Sequence, residues 1–247
     1  TPTAPTTSAD TPISFGAVSY DHMSMPVSVP LVWSASNGSI SSTGVFTPYA
    51  SGQHTVSVCF GIICATEIVT VTPGAPITLV AVGSAAEITA DDTMSVTAYV
   101  VDQFGNTVPN QAITYTPSNG TMDLAQPNLF LPHATGSQTI AVGWNGQTVS
   151  VPVVVTTGVA AYFTLEGCSG TNPAGVWCSI THTLYDQFDN EIQDVSQAGS
   201  LTWTVENGNY STVNSEYFPD HIGEWMLNLT STSGAEGQLA IIVGHGE

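Results

Sequence analysis

The sequence predicts an all-β protein of three tandem β-sandwich domains, and three observations predict it. A motif recurs as Trp33-Ser-Ala-Ser-Asn37-Gly38-Ser, Tyr115-Thr-Pro-Ser-Asn119-Gly120-Thr and Trp203-Thr-Val-Glu-Asn207-Gly208-Asn, at spacings of 82 and 88 residues. Apolar runs of period two, such as Met94-Ser-Val-Thr-Ala-Tyr-Val-Val101, end in turn-forming residues. Val, Thr, Ser and Gly dominate while Lys and Arg are absent, a composition that suits a pleated sheet better than a helix. Repeats of this length hold several strands each, which fits sandwich domains and not the short units of a solenoid.

The elements follow in order. Residues 1–12, with Thr1-Pro-Thr-Ala-Pro-Thr-Thr-Ser-Ala-Asp10, are polar and proline-bearing and read as an extended N-terminal tail. Residues 13–74 form the first domain, 75–157 the second and 158–247 the third. The links between them lie at Thr72-Pro-Gly-Ala-Pro76 and Thr156-Thr-Gly-Val159. Each domain has a strand ending in aspartate: Tyr20-Asp21, Val101-Asp102-Gln-Phe-Gly-Asn106 and Tyr185-Asp186-Gln-Phe-Asp-Asn190. Each also has an aromatic residue followed by a glycine: Phe46-Thr-Pro-Tyr-Ala-Ser-Gly52, Phe130-Leu-Pro-His-Ala-Thr-Gly136 and Phe218-Pro-Asp-His-Ile-Gly223. Trp33, Tyr115 and Trp203 sit where such sandwiches bury an aromatic side chain. Asp21, Asp102 and Asp186 open turns, where an aspartate accepts from backbone amides ahead of it.

The first domain departs from the pattern. The second and third open with an additional apolar strand, residues 76–84 and 159–167, whereas the first begins at Ile13. Two readings follow: the first strand is short or cut off, or it is missing and the open sheet edge takes a strand from a neighbouring subunit or an upstream domain. Thr1, Pro2, Thr3, Ala4, Pro5, Ile13 and Phe15 are the candidate assembly residues.

Four cysteines form two closely spaced pairs. Thr55-Val-Ser-Val-Cys-Phe-Gly-Ile-Ile-Cys64 aligns without a gap on Thr139-Ile-Ala-Val-Gly-Trp-Asn-Gly-Gln-Thr148, placing Gly61-Ile62 where Asn145-Gly146 makes a two-residue hairpin turn. Cys59 and Cys64 then face each other across a non-hydrogen-bonded pair about 4.5 Å apart at Cα, within disulfide reach. Cys168 and Cys178 flank the loop between the first two strands of the third domain. Two local disulfides imply an oxidising compartment.

Charge excludes several classes of function. With 19 acidic residues and no Lys or Arg, the chain repels phosphate backbones, so no nucleic-acid partner is expected. No lysine is available for Schiff-base chemistry and no arginine for phosphate clamping. No Gly-x-Ser-x-Gly elbow or His-Glu-x-x-His pair is present, so no catalytic residue and no metal ligand is assigned. No cofactor is assigned; the acids that would best suit calcium are Asp186, Asp189, Asn190 and Glu191 first and Glu87, Asp91 and Asp92 second, and neither group has EF-hand spacing. No stretch approaches the roughly 20 apolar residues of a membrane-spanning helix. Asn37, Asn119, Asn209 and Asn228 satisfy the N-glycosylation sequon.

The Asp-x-x-Gly-Asn turn at residues 102–106, its variant at 186–190 and the Gly-Ser-Ile-Ser-Ser-Thr-Gly-Val-Phe-Thr run at 38–47 resemble the bacterial Ig-like repeats of invasin- and intimin-type adhesins. Repeats of this kind also occur in many bacterial and archaeal surface proteins. The resemblance covers residues 12–247 and implies three immunoglobulin-like sandwiches in a non-enzymatic, extracellular chain. It implies a structural subunit of a cell-surface filament or surface layer, with self-association by strand exchange. The alternatives it leaves are an adhesin or stalk segment that binds a glycan or receptor, and a spacer beside a catalytic domain.

Overall fold

A computed structural model describes residues 4–245. Thr1, Pro2 and Thr3, named above as assembly candidates, lie outside the described residues. The chain is all-β and comprises three immunoglobulin-like sandwiches in tandem. Its single helical element among the described residues is the 3-10 turn Val195–Ala198, capped by Asp194. Contacts gather in two compact units. One holds Thr1–Val82, Thr97–Thr114 and Val142–Ser150, the other Gly83–Val96, Tyr115–Ala141 and Val151–Glu247.

In the first unit, the first sandwich has one sheet in the order Thr6–Ser8, Ile63–Thr72, Gly52–Phe60, Val32–Ala35. Its other face carries Ile13–Ser14, Val45–Thr47 and Ser39–Ile40, and a hairpin pairs Ser19–Tyr20 with Pro26–Val27. Alternation sends Phe46, Val56, Val69 and Val71 inward, where they pack with Ile13, Phe15 and Trp33. The unit also contains residues 78–82 of the strand Thr78–Gly83, anchored where the Ile77 amide donates to the Val101 carbonyl at 2.9 Å.

The N-terminal segment differs from the expected tail. Thr6–Ser8 is an edge strand parallel to Ile63–Thr72, with Thr6 opposite Thr70 and Ser8 opposite Thr72. The Thr70 amide donates to the Pro5 carbonyl, and Ala9 is fully buried in the core. Polar threonines suit this place because the strand lies at a sheet edge and only Ala9, just after it, is buried. Ile13 and Phe15 likewise face their own core, and the Phe15 ring meets the Phe46 ring edge-on at 6.5 Å. The edge beside Thr70–Thr72 is therefore filled from within the chain.

In the second unit, Glu87–Thr89 runs parallel to the end of Gln147–Thr156, and Met94 pairs with Phe130. The third sandwich follows. Ala160–Gly167 pairs antiparallel with Cys178–Asp186, and Thr171–Pro173 runs parallel to Ile242–Gly244. Leu201–Val205, Gly223–Ser231 and Glu236–Gly244 complete one face. Phe163, Leu184 and Leu229 fill one core cluster and Ile180, Tyr217 and Ile241 another, with Trp203 packed against both. Tyr217, opposite Cys178, holds the place of Phe46 and Phe130, one residue earlier than the expected Phe218.

Both disulfides form. Cys59 and Cys64 are paired across the Gly61-Ile62 turn at a Cα separation of 4.1 Å, and Cys168 and Cys178 at 5.4 Å. They are consistent with an oxidising compartment. Replacing both Cys168 and Cys178 with serine is expected to lower stability by about 2–3 kcal/mol, from the loop-closure entropy of so short a loop. Urea unfolding with and without the bond measures the difference.

Candidate functional site

The repeats build two features that can carry function: a pair of loop clasps and an open apolar groove. Each clasp starts from an aspartate at the end of a strand. Asp102 Oδ1 accepts from the amides of Phe104 and Asn106, both at 2.9 Å. Asp186 Oδ1 accepts from those of Phe188 at 2.9 Å and Asn190 at 3.0 Å. This turn needs a left-handed residue before the asparagine, supplied by Gly105 at φ 84° and Asp189 at φ 66°. The second oxygen, Oδ2, accepts from a glycine amide of the link, Gly74 at 2.7 Å for Asp102 and Gly158 at 2.9 Å for Asp186.

The asparagine then reaches a loop of the preceding repeat. Asn106 Nδ2 donates to the Tyr49 carbonyl at 2.8 Å, and its Oδ1 accepts from the Ser51 amide at 2.9 Å. Asn190 repeats this with the His133 carbonyl and the Thr135 amide, both at 3.0 Å. A ring contact seals each joint, Phe104 with Tyr49 at 5.4 Å and Phe188 with His133 at 5.1 Å. The same Asn at the same place in both repeats was the sequence signal for this contact. Reading the turn as self-contained missed its second role.

Both aspartates are buried, Asp186 at 0% exposure and Asp102 at 3%. Burial by itself would raise their carboxyls. The hydrogen bonds from the asparagines, the link glycines and the turn amides outweigh it and hold both below the ordinary carboxylate range.

The first repeat carries the same turn with other chemistry. Asp21 Oδ1 accepts from the amides of Met23 at 2.8 Å and Met25 at 2.9 Å, with Ser24 at φ 60°. Met23 replaces the phenylalanine and Met25 the asparagine, and both are exposed.

The two acid groups that would best suit calcium do not converge. Among the described residues no three acidic, histidine or cysteine side chains gather as metal ligands. The acids are already occupied: Asp189 Oδ1 accepts from the Tyr162 hydroxyl at 2.6 Å, and Asp91 Oδ1 from Gln187 Nε2 at 2.6 Å. Asp91 Oδ2 accepts from the Val159 amide.

The groove lies in the first sandwich, between the strand region around Val18 and the tip of the disulfide-closed hairpin. It encloses about 360 Å³ and is lined by Val18, Val27, Leu31, Val58, Phe60 and Ile63 among others. The internal repeat shows how unusual this is. Phe60 aligns with Trp144, yet Phe60 is 46% exposed and Trp144 8%. Val18 is 63% exposed and Ile63 73%, although such side chains ordinarily seek a core. Trp33, expected in the core, packs there with its ring beside the groove.

Of the sequons, Asn37, Asn119 and Asn209 are exposed and Asn228 is half-buried in the middle of Gly223–Ser231. Ala4 is exposed, and Pro5 is held by its carbonyl bond to the Thr70 amide.

No protein-family model and no curated protein matches the chain. Solved structures of surface proteins are similar to it. The Escherichia coli adhesin FdeC is 15% identical over 98% of this chain and 88% of that one, with a TM-score of 0.48. InvD of Yersinia pseudotuberculosis is 18% identical over 93% of this chain and 92% of that one, with a TM-score of 0.45. Domains 4–9 of the surface-layer protein SbsC are 16% identical over 94% of this chain and 42% of that one, with a TM-score of 0.33. These are likenesses of fold alone.

Proposed function

We propose that this chain is a non-catalytic structural component of a cell surface, a subunit of a filament or surface layer whose first sandwich is completed by a strand from a neighbouring subunit. We take residues 13–74, 75–157 and 158–247 as its domains, with Thr6–Ser8 added to the first. The observation that supports this reading is the open groove. Apolar surface exposed there is the kind that marks a protein interface, and an unpaired sheet edge templates strand addition. The clasps support a mechanical role, because they tie neighbouring repeats together through buried, fully partnered groups. Glycans at Asn37, Asn119 and Asn209 would coat such a surface.

Electron microscopy and light scattering on the purified chain test the reading. Regular polymers are expected, and Val18→Asp, which places a charge at the exposed wall of the groove, is expected to abolish them. Monodisperse monomers at all concentrations would overturn it. A second reading, a ligand-binding adhesin segment, is favoured by Trp177, half-exposed on the disulfide-held loop with its ring 5.0 Å from that of Phe218. Monomers that bind a glycan through Trp177 would support that reading instead.

A further inference from the structure

One row of side chains in the third sandwich is unlike its counterparts in the other two. Cys178 lies opposite Tyr217 and Asn209 opposite Phe218, so Trp177, Phe218 and Asn209 follow one another across three neighbouring strands. Tyr217 is buried and Tyr210 packs against its cluster, and alternation therefore turns Phe218 and Asn209 to the outer face. The Trp177 ring is half-exposed and stands 5.0 Å from that of Phe218. Asn209 is exposed and ends the row, because its strand, Asn209–Ser211, is the last of the sheet. The second sandwich has Thr93, Leu131 and Thr121 at these places, and the first has Pro12, Thr47 and Ser39.

The exposure of Trp177 is built into the loop that carries it. That loop is closed by the bond between Cys168 and Cys178. It is also tied down by the Gly175 amide, which donates to the Pro219 carbonyl at 2.8 Å, and by the Ala174 amide, which donates to the Gly244 carbonyl at 3.1 Å. A large aromatic ring held out of the core is surface that a partner ordinarily covers. The row supplies an attachment point for one, because Asn209-Tyr210-Ser211 is a glycosylation sequon. The other three sequon asparagines are placed differently. Asn37 and Asn119 precede turn glycines, and Asn119 Oδ1 accepts from the Gly120 amide. Asn228 is half-buried in mid-sheet between Thr204 and Gln238.

We infer that Asn209 carries an N-linked oligosaccharide whose first two sugars lie along the row, the first over Phe218 and the second over Trp177. In the attachment, a lipid-phosphate-linked oligosaccharide gives up the bond between its anomeric carbon and the phosphate oxygen. That carbon bonds to Asn209 Nδ2, one Nδ2 proton goes to a base of the transferase, and the lipid phosphate leaves. Neighbouring strands lie about 4.8 Å apart, so the two steps from Asn209 to Trp177 span roughly 10 Å, the reach of a disaccharide. The C–H face of a pyranose is drawn to the electron-rich faces of the two rings and leaves water on stacking there. Uncharged sugars suit the row, because Glu216 shares the outer face with Phe218 and the chain has no Lys or Arg to pair with an acidic one. This inference rests on the cell-surface reading, needs no filament, and adds which residue is modified and what its glycan covers.

The test uses the full chain produced in its native cells, located by cell fractionation and mapped by mass spectrometry of chymotryptic glycopeptides. A sugar-bearing peptide containing Asn209 is expected. Asn209→Gln and Ser211→Ala, both on the edge strand, should each abolish it. Hydroxyl-radical oxidation of Trp177 should then run about threefold faster than in the glycosylated chain, because a stacked sugar shields one face of the ring. Asn119→Gln, in a turn of the second sandwich, should leave the Trp177 rate unchanged. Unmodified Asn209 in protein found at the cell surface overturns the inference and leaves the surface reading standing. A glycan at Asn209 with Trp177 oxidised equally in all variants overturns its seat on the rings and leaves them open to an external ligand. A chain retained inside the cell overturns the surface reading and the glycan with it.

Discussion

Asp186→Ala is expected to cost about 3 kcal/mol of stability in the third sandwich, because it strands a set of buried donors at once. The amides of Gly158, Phe188 and Asn190 and the Asn190 side chain all donate to this carboxylate, and buried donors left without a partner are costly. Asp102→Ala should do the same at the other clasp. Asp21→Ala is the control: its turn is exposed and should change stability by less than about 1 kcal/mol. Urea unfolding followed by fluorescence measures all three. The acid response has a definite sign. Because the folded carboxyls are held below the ordinary value of 3.8, their contribution is fully present above that pH. It is lost as the pH falls through the lower folded-state value. The clasps should therefore stay closed in mildly acid surroundings, and an Asp102→Ala, Asp186→Ala double variant should show less loss of stability on acidification below pH 3.8. Equal losses in both proteins would count against the clasp.

Gly120→Ala is expected to be of similar size, about 3 kcal/mol, and Gly146→Ala about 1 kcal/mol. Both glycines have positive φ, 76° and 79°, so both substitutions incur the left-handed strain of a side chain. They differ in space. A Cβ on Gly146 meets nothing, whereas one on Gly120 would run into the Leu131 carbonyl and come within 2.9 Å of the Phe130 ring. Gly38 and Gly208 make the same approach to the Thr47 and Phe218 carbonyls. Close packing of a turn against the aromatic strand thus explains why Asn-Gly recurs in all three repeats. Thermal melts of the pair check it, and equal effects at the two sites would leave only the φ strain.

Much of this was legible in the residues. The ungapped match of Thr55–Cys64 to Thr139–Thr148 fixed a hairpin, and a hairpin is local enough that turn and alternation determine its register. Asp102 and Asp186 were readable as turn openers because the first amides that donate to them lie two and four residues away. What escaped was non-local. Thr6–Ser8 pairs with residues 64 positions later, and its short polar sequence carries no alternation to announce a strand. The reach of Asn106 to Tyr49 and of Asn190 to His133 depends on how a link folds back, which no period in the sequence encodes. The groups that donate to Asp189 and Asp91, the Tyr162 hydroxyl, the Gln187 side chain and the Val159 amide, likewise come from distant segments.

The parallel pairs at the start and finish of each sandwich have a mechanical consequence. A strand near the start of each sandwich lies beside the strand that ends it, and the two run in the same direction. Tension along the polypeptide drags them oppositely along a shared axis, so the rungs between Thr6–Ser8 and Thr70–Thr72, or Glu87–Thr89 and Val154–Thr156, are sheared together and not peeled one by one. The third sandwich is wired otherwise. Its corresponding strand, Thr171–Pro173, lies inside the loop closed by Cys168 and Cys178, so force passes through the sulfur bridge and bypasses those rungs. Reducing that one bond would put them back in the path of the pull.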